Sequence, residues 1–136
     1  MVMLQNSGLG NAVSPLTSLT AVFRLPVLLI VTWRGRPGGP ADEPQHGMMG
    51  RITPGLLDLM EIPWEVAPVE EADVAAALGR ARAHMDRART PYALVVKKGT
   101  FAPRGSSAAG AGRPPGAVPS GDRPAAGERI DPDAAL

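Results

Sequence analysis

Five consecutive positions, Asp42-Glu43-Pro44-Gln45-His46, bring two carboxylates, an amide and an imidazole onto one short stretch of chain. Imidazole titrates nearest neutrality, so His46 is the candidate for proton transfer, beside two carboxylates and an amide. A solvated loop histidine is the alternative. A second polar group, Gln5-Asn6-Ser7-Gly8-Leu9-Gly10-Asn11, crowds four hydrogen-bonding side chains around two glycines. Glycine permits positive φ and close backbone approach, so a strand, glycine turn and helix in succession is where N–H groups are bared to a ligand. The competing reading is a plain connector. Arg34, just past an apolar run, is either a partner for an anionic group or a solvated arginine.

Several chemistries are excluded. Gly8-Leu9-Gly10 starts like a dinucleotide fingerprint, but Val13 stands where a third small residue is needed, and no acid follows about 20 residues on. A phosphate loop with its lysine is also absent, because the first lysine of the chain is Lys97. There is no cysteine, His84 sits apart on a helical segment, and an acidic pair alone makes no metal site, so none is expected. A formal net charge of +1, scattered basic residues and only two Trp and one Tyr argue against nucleic acid. The lack of cysteine fits a cytoplasmic protein. Residues 1 to 4 carry no signal-peptide pattern, and the apolar run at 25 to 33 holds a proline and falls well short of the roughly 20 residues of a membrane helix.

The elements that would position these residues follow from periodicity. Residues 2 to 5 read as the end of a strand. Asn11 is the expected cap of a helix with Pro15 near its first turn and Val13, Leu16, Thr20 and Phe23 along one face. The run at 26 to 33 is continuously apolar and β-branched, as a strand covered on both faces should be. A long loop with four Gly and three Pro occupies 34 to 47. Thr53-Pro54 predicts a helix start, with Leu56, Leu57 and Met60 on the buried side. A short strand at 62 to 66 comes next, then a helix at 70 to 88 with Val74, Leu78, Ala81, Met85 and Ala88 inward, then a strand at 92 to 96. The alternation predicts an α/β three-layer sandwich with a mostly parallel sheet, in which ligands lie at the carboxyl ends of the strands. Residues 1 to 101 form the predicted domain. From 102 to 136, Ala, Gly and Pro take 21 of 35 positions, too few sizeable apolar side chains to offset ordering entropy, which predicts a disordered tail.

The segments LQNSGLGNAVSPLTSL, PVLLIVTWRGRPG, DEPQH, ITPGLLDLMEIPWE and PYALVVKKGT, in that order and spacing, closely resemble the thiamine-diphosphate-dependent decarboxylases, the phosphonopyruvate group in particular, with sulfopyruvate decarboxylase related. The resemblance covers residues 1 to about 103. It implies the later part of a pyrimidine-binding domain, N-terminally truncated, with Gln5, Asn6, Ser7, Gly8, Gly10 and Asn11 beside the cofactor. It further implies His46 as catalytic residue and Arg34, Asp42, Glu43 and Gln45 at the substrate. The implied reaction is nonoxidative decarboxylation of 3-phosphonopyruvate to phosphonoacetaldehyde. Two features of that family have no match. The glutamate that contacts the pyrimidine ring lies upstream in the family, and none of Glu43, Glu61, Glu65, Glu70, Glu71 or Glu128 stands in its place. The diphosphate domain that binds Mg²⁺ is also without counterpart, so the expected partner, in a homo- or hetero-oligomer, is a chain carrying that domain. A noncatalytic remnant or assembly subunit, or a sulfopyruvate decarboxylase alpha-type subunit, is the second reading.

Overall fold

The computed structural model describes residues 1–101; the expected tail at 102–136 lies outside the described residues. Four strands, β1 (Val2–Gln5), β2 (Leu28–Thr32), β3 (Trp64–Val66) and β4 (Tyr92–Val96), form one sheet in the order β1-β2-β4-β3. Every pairing is parallel. The predicted α/β class and the order of strands and helices are therefore observed.

Connection handedness decides the layers. From β1 to β2 and from β2 to β3 the chain moves one way across the sheet, whereas from β3 to β4 it moves back. Right-handed crossovers then place the first two connections on one face and the third on the other. Packing follows that rule. Leu9, Leu16 and Leu57 bury with Leu29, Val31, Ala93 and Val95 on one side, and Ala77 buries with Ile30, Leu94 and Val96 on the other. Leu9, Leu29, Val31, Leu57 and Val95 are each no more than 1% exposed, and removing such a side chain from water contributes about 1.5–3 kcal/mol.

The first connection departs from its prediction. Residues 6 to 11 are not a glycine turn: α1 (Asn6–Asn11) starts directly after β1, and Gly8 and Gly10 lie inside it. Asn11 is therefore its last residue and caps nothing. A three-residue segment, α2 (Val13–Pro15), and a π-helical turn at Leu16–Thr20 continue the coil, with Ala21 N–H reaching back to the Leu16 carbonyl at 3.1 Å. Asn6 makes the early start possible, because its buried side chain is anchored by tertiary hydrogen bonds that a loop reading of its sequence does not anticipate. Leu16 and Thr20 are buried as expected, but Phe23 is 65% exposed, since the coil has ended by Arg24, which turns at φ 52°.

The helix of the second connection, α3 (His46–Leu59), also begins earlier than Thr53-Pro54 predicts, so Pro54 lies in its interior. Proline there removes the N–H that would bond to the carbonyl four residues back, that of Gly50. The indole Nε1–H of Trp33 donates to that carbonyl at 2.8 Å, which restores the missing partner. Helix α4 (Glu71–Ala88) agrees with its predicted span, has Glu71 and Asp73 in its first turn and Arg87 in its last, and stops at Arg89 in the left-handed region. Ala77 packs on the sheet and Ala81 is buried, whereas Val74 and Leu78, expected inward, are 38% and 42% exposed.

Candidate functional site

The register Gln5, Thr32 and Val96 lines up the last residues of β1, β2 and β4. The segments that follow, Asn6-Ser7, Trp33-Arg34 and Lys97-Lys98, therefore emerge side by side at the carboxyl edge of the sheet, where open α/β proteins bind ligands. Three of the sequence-predicted groups meet there.

Asn6 ties two of them together. Its Nδ2 donates to the Arg34 carbonyl at 2.9 Å and to Thr53 Oγ1 at 3.0 Å, and its Oδ1 accepts from the Arg34 N–H at 3.2 Å. Thr53 in turn donates to the Met49 carbonyl. Both side chains are fully buried, so Asn6 braces the loop after β2 against α3 and has no donor left for a ligand. The other residues of that group are differently placed. Gln5 is half-buried and accepts from Ser7 Oγ at 3.0 Å; Gly8 faces the Leu4 side chain; Ser7, Gly10 and Asn11 are exposed on the outward face of α1.

Close backbone packing holds the long loop against the start of α3. Gly35 has φ +64°, and a Cβ on it would overlap the His46 carbonyl; a Cβ on Gly50 would overlap the Gly35 carbonyl. No residue with a side chain fits at either position without moving backbone.

Asp42 is the centre of the loop. Its carboxylate accepts from Arg34 Nε at 2.8 Å, from the Gly35 N–H at 2.9 Å, from the Glu43 N–H at 2.9 Å and from His46 Nδ1 at 3.1 Å, with a further bond to the Arg34 guanidinium. The Arg34 guanidinium first, and the Gly35 N–H second, hold this carboxyl well below the usual carboxylate range, against the opposing effect of desolvation. The same pairing raises Arg34. An ionised carboxylate only accepts, so the neutral His46 ring carries its proton on Nδ1 and leaves the Nε2 lone pair free. No described residue bonds to Nε2. The side chain of His46 is 15% exposed and that of Asp42 is 11% exposed. Such an acid-oriented imidazole can take up or deliver one proton at a fixed point.

Arg34, Asp42 and His46 are thus brought into one network, whereas Glu43 and Gln45 are exposed at the loop surface with side chains that bond to no described residue. Sequence reasoning missed Thr53, Gly50, the lysine pair and the hydrogen bond from Trp33 to Gly50. Pro54 four residues after Gly50 was the available signal for the Trp33 contact, hidden because Thr53-Pro54 also reads as a helix start. Among the described residues no cluster of three or more His, Asp or Glu could hold a metal, and no helix is long and apolar enough to cross a membrane.

No protein-family model matches the chain. It is 46% identical over 98 residues to a phosphonopyruvate decarboxylase of Streptomyces viridochromogenes and 42% identical over 98 residues to that of Streptomyces hygroscopicus, in each case 72% of this chain and 24% of the relative. The chain is homologous to one segment of the phosphonopyruvate decarboxylases. It is also 38% identical over 80 residues to the sulfopyruvate decarboxylase subunit alpha of Methanothermobacter thermautotrophicus, 57% of this chain and 46% of that one. The motif resemblance drawn from the sequence is thereby shown. The chain spans about a quarter of the length of the phosphonopyruvate decarboxylases it matches.

Proposed function

We propose that the chain forms one wall of a keto-acid decarboxylase active site, in which 3-phosphonopyruvate loses carbon dioxide to give phosphonoacetaldehyde. The observation that carries this reading is the single carboxylate of Asp42, which fixes Arg34 and His46 together at the carboxyl edge of the sheet. In that role His46 Nε2 handles a proton at the reacting carbon, Arg34 and Asp42 fix its position, and Glu43 and Gln45 border the substrate.

Thiamine diphosphate, when bound, supplies the electron sink for the pair left behind by carbon dioxide. The fit of α1 to such a group is selective. Ser7, Gly10 and Asn11 present a small, polar, exposed face, and a Cβ on Gly10 would meet nothing within 4 Å, so a flat ring has room there. Gln5 flanks it. Asn6 and Gly8 are occupied by the fold and serve the site indirectly. Mg²⁺ and the diphosphate would be held by a domain outside the described residues.

The remainder of the site is proposed to come from the portion that the longer relatives carry, in the same or a companion chain. Two features support this. Among the described residues β1 pairs only with β2, so its outer edge is free. Beside it runs an apolar groove of about 250 Å³ bordered by Met3, Ile30, Val74, Leu78 and Phe101.

Transplanting residues 1–101 into the matching segment of the Streptomyces viridochromogenes enzyme tests the function. Carbon dioxide release from 3-phosphonopyruvate is expected. Release from sulfopyruvate alone would move the substrate to the sulfonate, and a folded chimera inactive on both would support the noncatalytic assembly reading.

A further inference from the structure

We propose that Lys97 and Lys98, together with the Trp33 ring, form a subsite for a small tetrahedral dianion such as a phosphonate headgroup. The proposal takes its ligand from the decarboxylase reading and assigns the headgroup to residues other than Arg34.

The structure gives three reasons. A cavity of about 220 Å³ opens at the carboxyl ends of β2 and β4, bordered by Trp33, Arg34, Lys97, Lys98 and Gly99. Its volume exceeds what a phosphonate group and a few waters need. Charge is unbalanced at this place: Arg36, Lys97 and Lys98 make no ion pair among the described residues, whereas the one buried carboxylate nearby, Asp42, is saturated by Arg34, backbone N–H groups and His46. Two lysines that border one cavity, with no counter-ion among the described residues, favour an anion of charge two over one of charge one. Finally, position connects the subsite to the chemistry. Lys98 also borders the small adjoining cavity that includes Gly35, Arg36 and Asp42. A ligand whose headgroup rests on the lysines would direct its other end towards the Arg34, Asp42 and His46 network.

Arg34 is a poorer headgroup ligand than its sequence position suggests. Its Nε and one terminal nitrogen are engaged by Asp42, and drawing them away would release the loop that holds His46. Lysine ammonium groups act as point charges and need no such rearrangement.

The test is a titration of the full 136-residue chain, ¹⁵N-labelled, with methylphosphonate, methanesulfonate and acetate, followed by NMR. Saturable shifts at Lys97, Lys98, Gly99 and the Trp33 indole are expected, strongest for methylphosphonate at a pH where it is doubly charged. The pair Lys97→Ala and Lys98→Ala should weaken binding about tenfold or more, since it removes both lysine charges that border the cavity. Lys97→Arg with Lys98→Arg should retain it, and Arg82→Ala with Arg87→Ala on α4 should leave it unchanged. Absence of saturable binding to the parent chain, or equal affinity in the alanine pair, would overturn the subsite. The titration needs no turnover, so its failure would leave the decarboxylase reading standing. In the active chimera the alanine pair should raise KM for phosphonopyruvate with kcat little changed.

Discussion

Trp33 donates its indole N–H to the Gly50 carbonyl at 2.8 Å, the one carbonyl of α3 that Pro54 leaves without its helical donor. A residue at the end of β2 thus repairs a defect in the helix that starts with His46, and the repair fixes the helix to the carboxyl edge of the sheet. Trp33 also meets Trp64 edge to face, with ring centroids 6.4 Å apart.

Trp33→Phe keeps most of the ring and removes the donor. It is expected to cost about 1–2 kcal/mol, because a partly buried carbonyl loses its partner. Pro54→Ala restores a backbone donor, so in the Trp33→Phe background it should recover more stability than in the parent chain. Urea unfolding of the four proteins measures the coupling, and strict additivity would refute the repair.

Gly50→Ala and Gly79→Ala should change stability in opposite directions. Both glycines are helical. A Cβ at Gly79 would meet nothing within 4 Å, so alanine there should gain about 0.5–1 kcal/mol from helix propensity. At Gly50 the Cβ would overlap the Gly35 carbonyl, and alanine should lose about 1–3 kcal/mol as the loop is pushed off the helix. Thermal unfolding of both variants distinguishes the cases, and stabilisation by both would show that the loop does not press on α3.

Asn6→Leu should destabilise the chain by about 2–4 kcal/mol. The change preserves approximate volume but strips partners from the Arg34 N–H and carbonyl and from Thr53. A loss below about 0.5 kcal/mol in urea unfolding would mean that Asn6 is not a brace and is free for a ligand.

The alternation of strands and helices, the parallel sheet and the buried second strand were legible because apolar periodicity reports burial directly, as in Leu29 and Val31. The helix starts at Asn6 and His46 were not legible. Asn6 sits in a helix through contacts with Arg34 and Thr53, and Pro54 sits in one through Trp33; both partners lie far away in sequence. At the site, His46 and Asp42 could be singled out by residue type. That Arg34 would bind Asp42 could not, since a flexible loop of Gly and Pro gives no register for a pairing eight residues apart. The lysine pair at 97 and 98 read only as a strand ending, because its meaning depends on which strand lies beside β4.

Acid should weaken the parent chain more than its Asp42→Asn variant. The Asp42 carboxyl titrates below its unfolded value, chiefly through Arg34 and the Gly35 N–H. Its contribution is therefore present above the unfolded value near 3.9 and is lost as pH falls below that. Urea midpoints between about pH 6 and pH 2 should fall less steeply in Asp42→Asn. Parallel acid limbs would show that this carboxylate gains nothing from folding.

His46, oriented by Asp42, is proposed to deliver the proton that replaces carbon dioxide on the reacting carbon. Single-turnover release of the aldehyde from 3-phosphonopyruvate by the chimera bearing residues 1–101, with and without His46→Gln, measures this step directly. This role for His46 predicts a fall of about 10²–10⁴-fold in turnover, typical of a lost acid–base group, with substrate affinity largely kept. Equal turnover by the two proteins would contradict it.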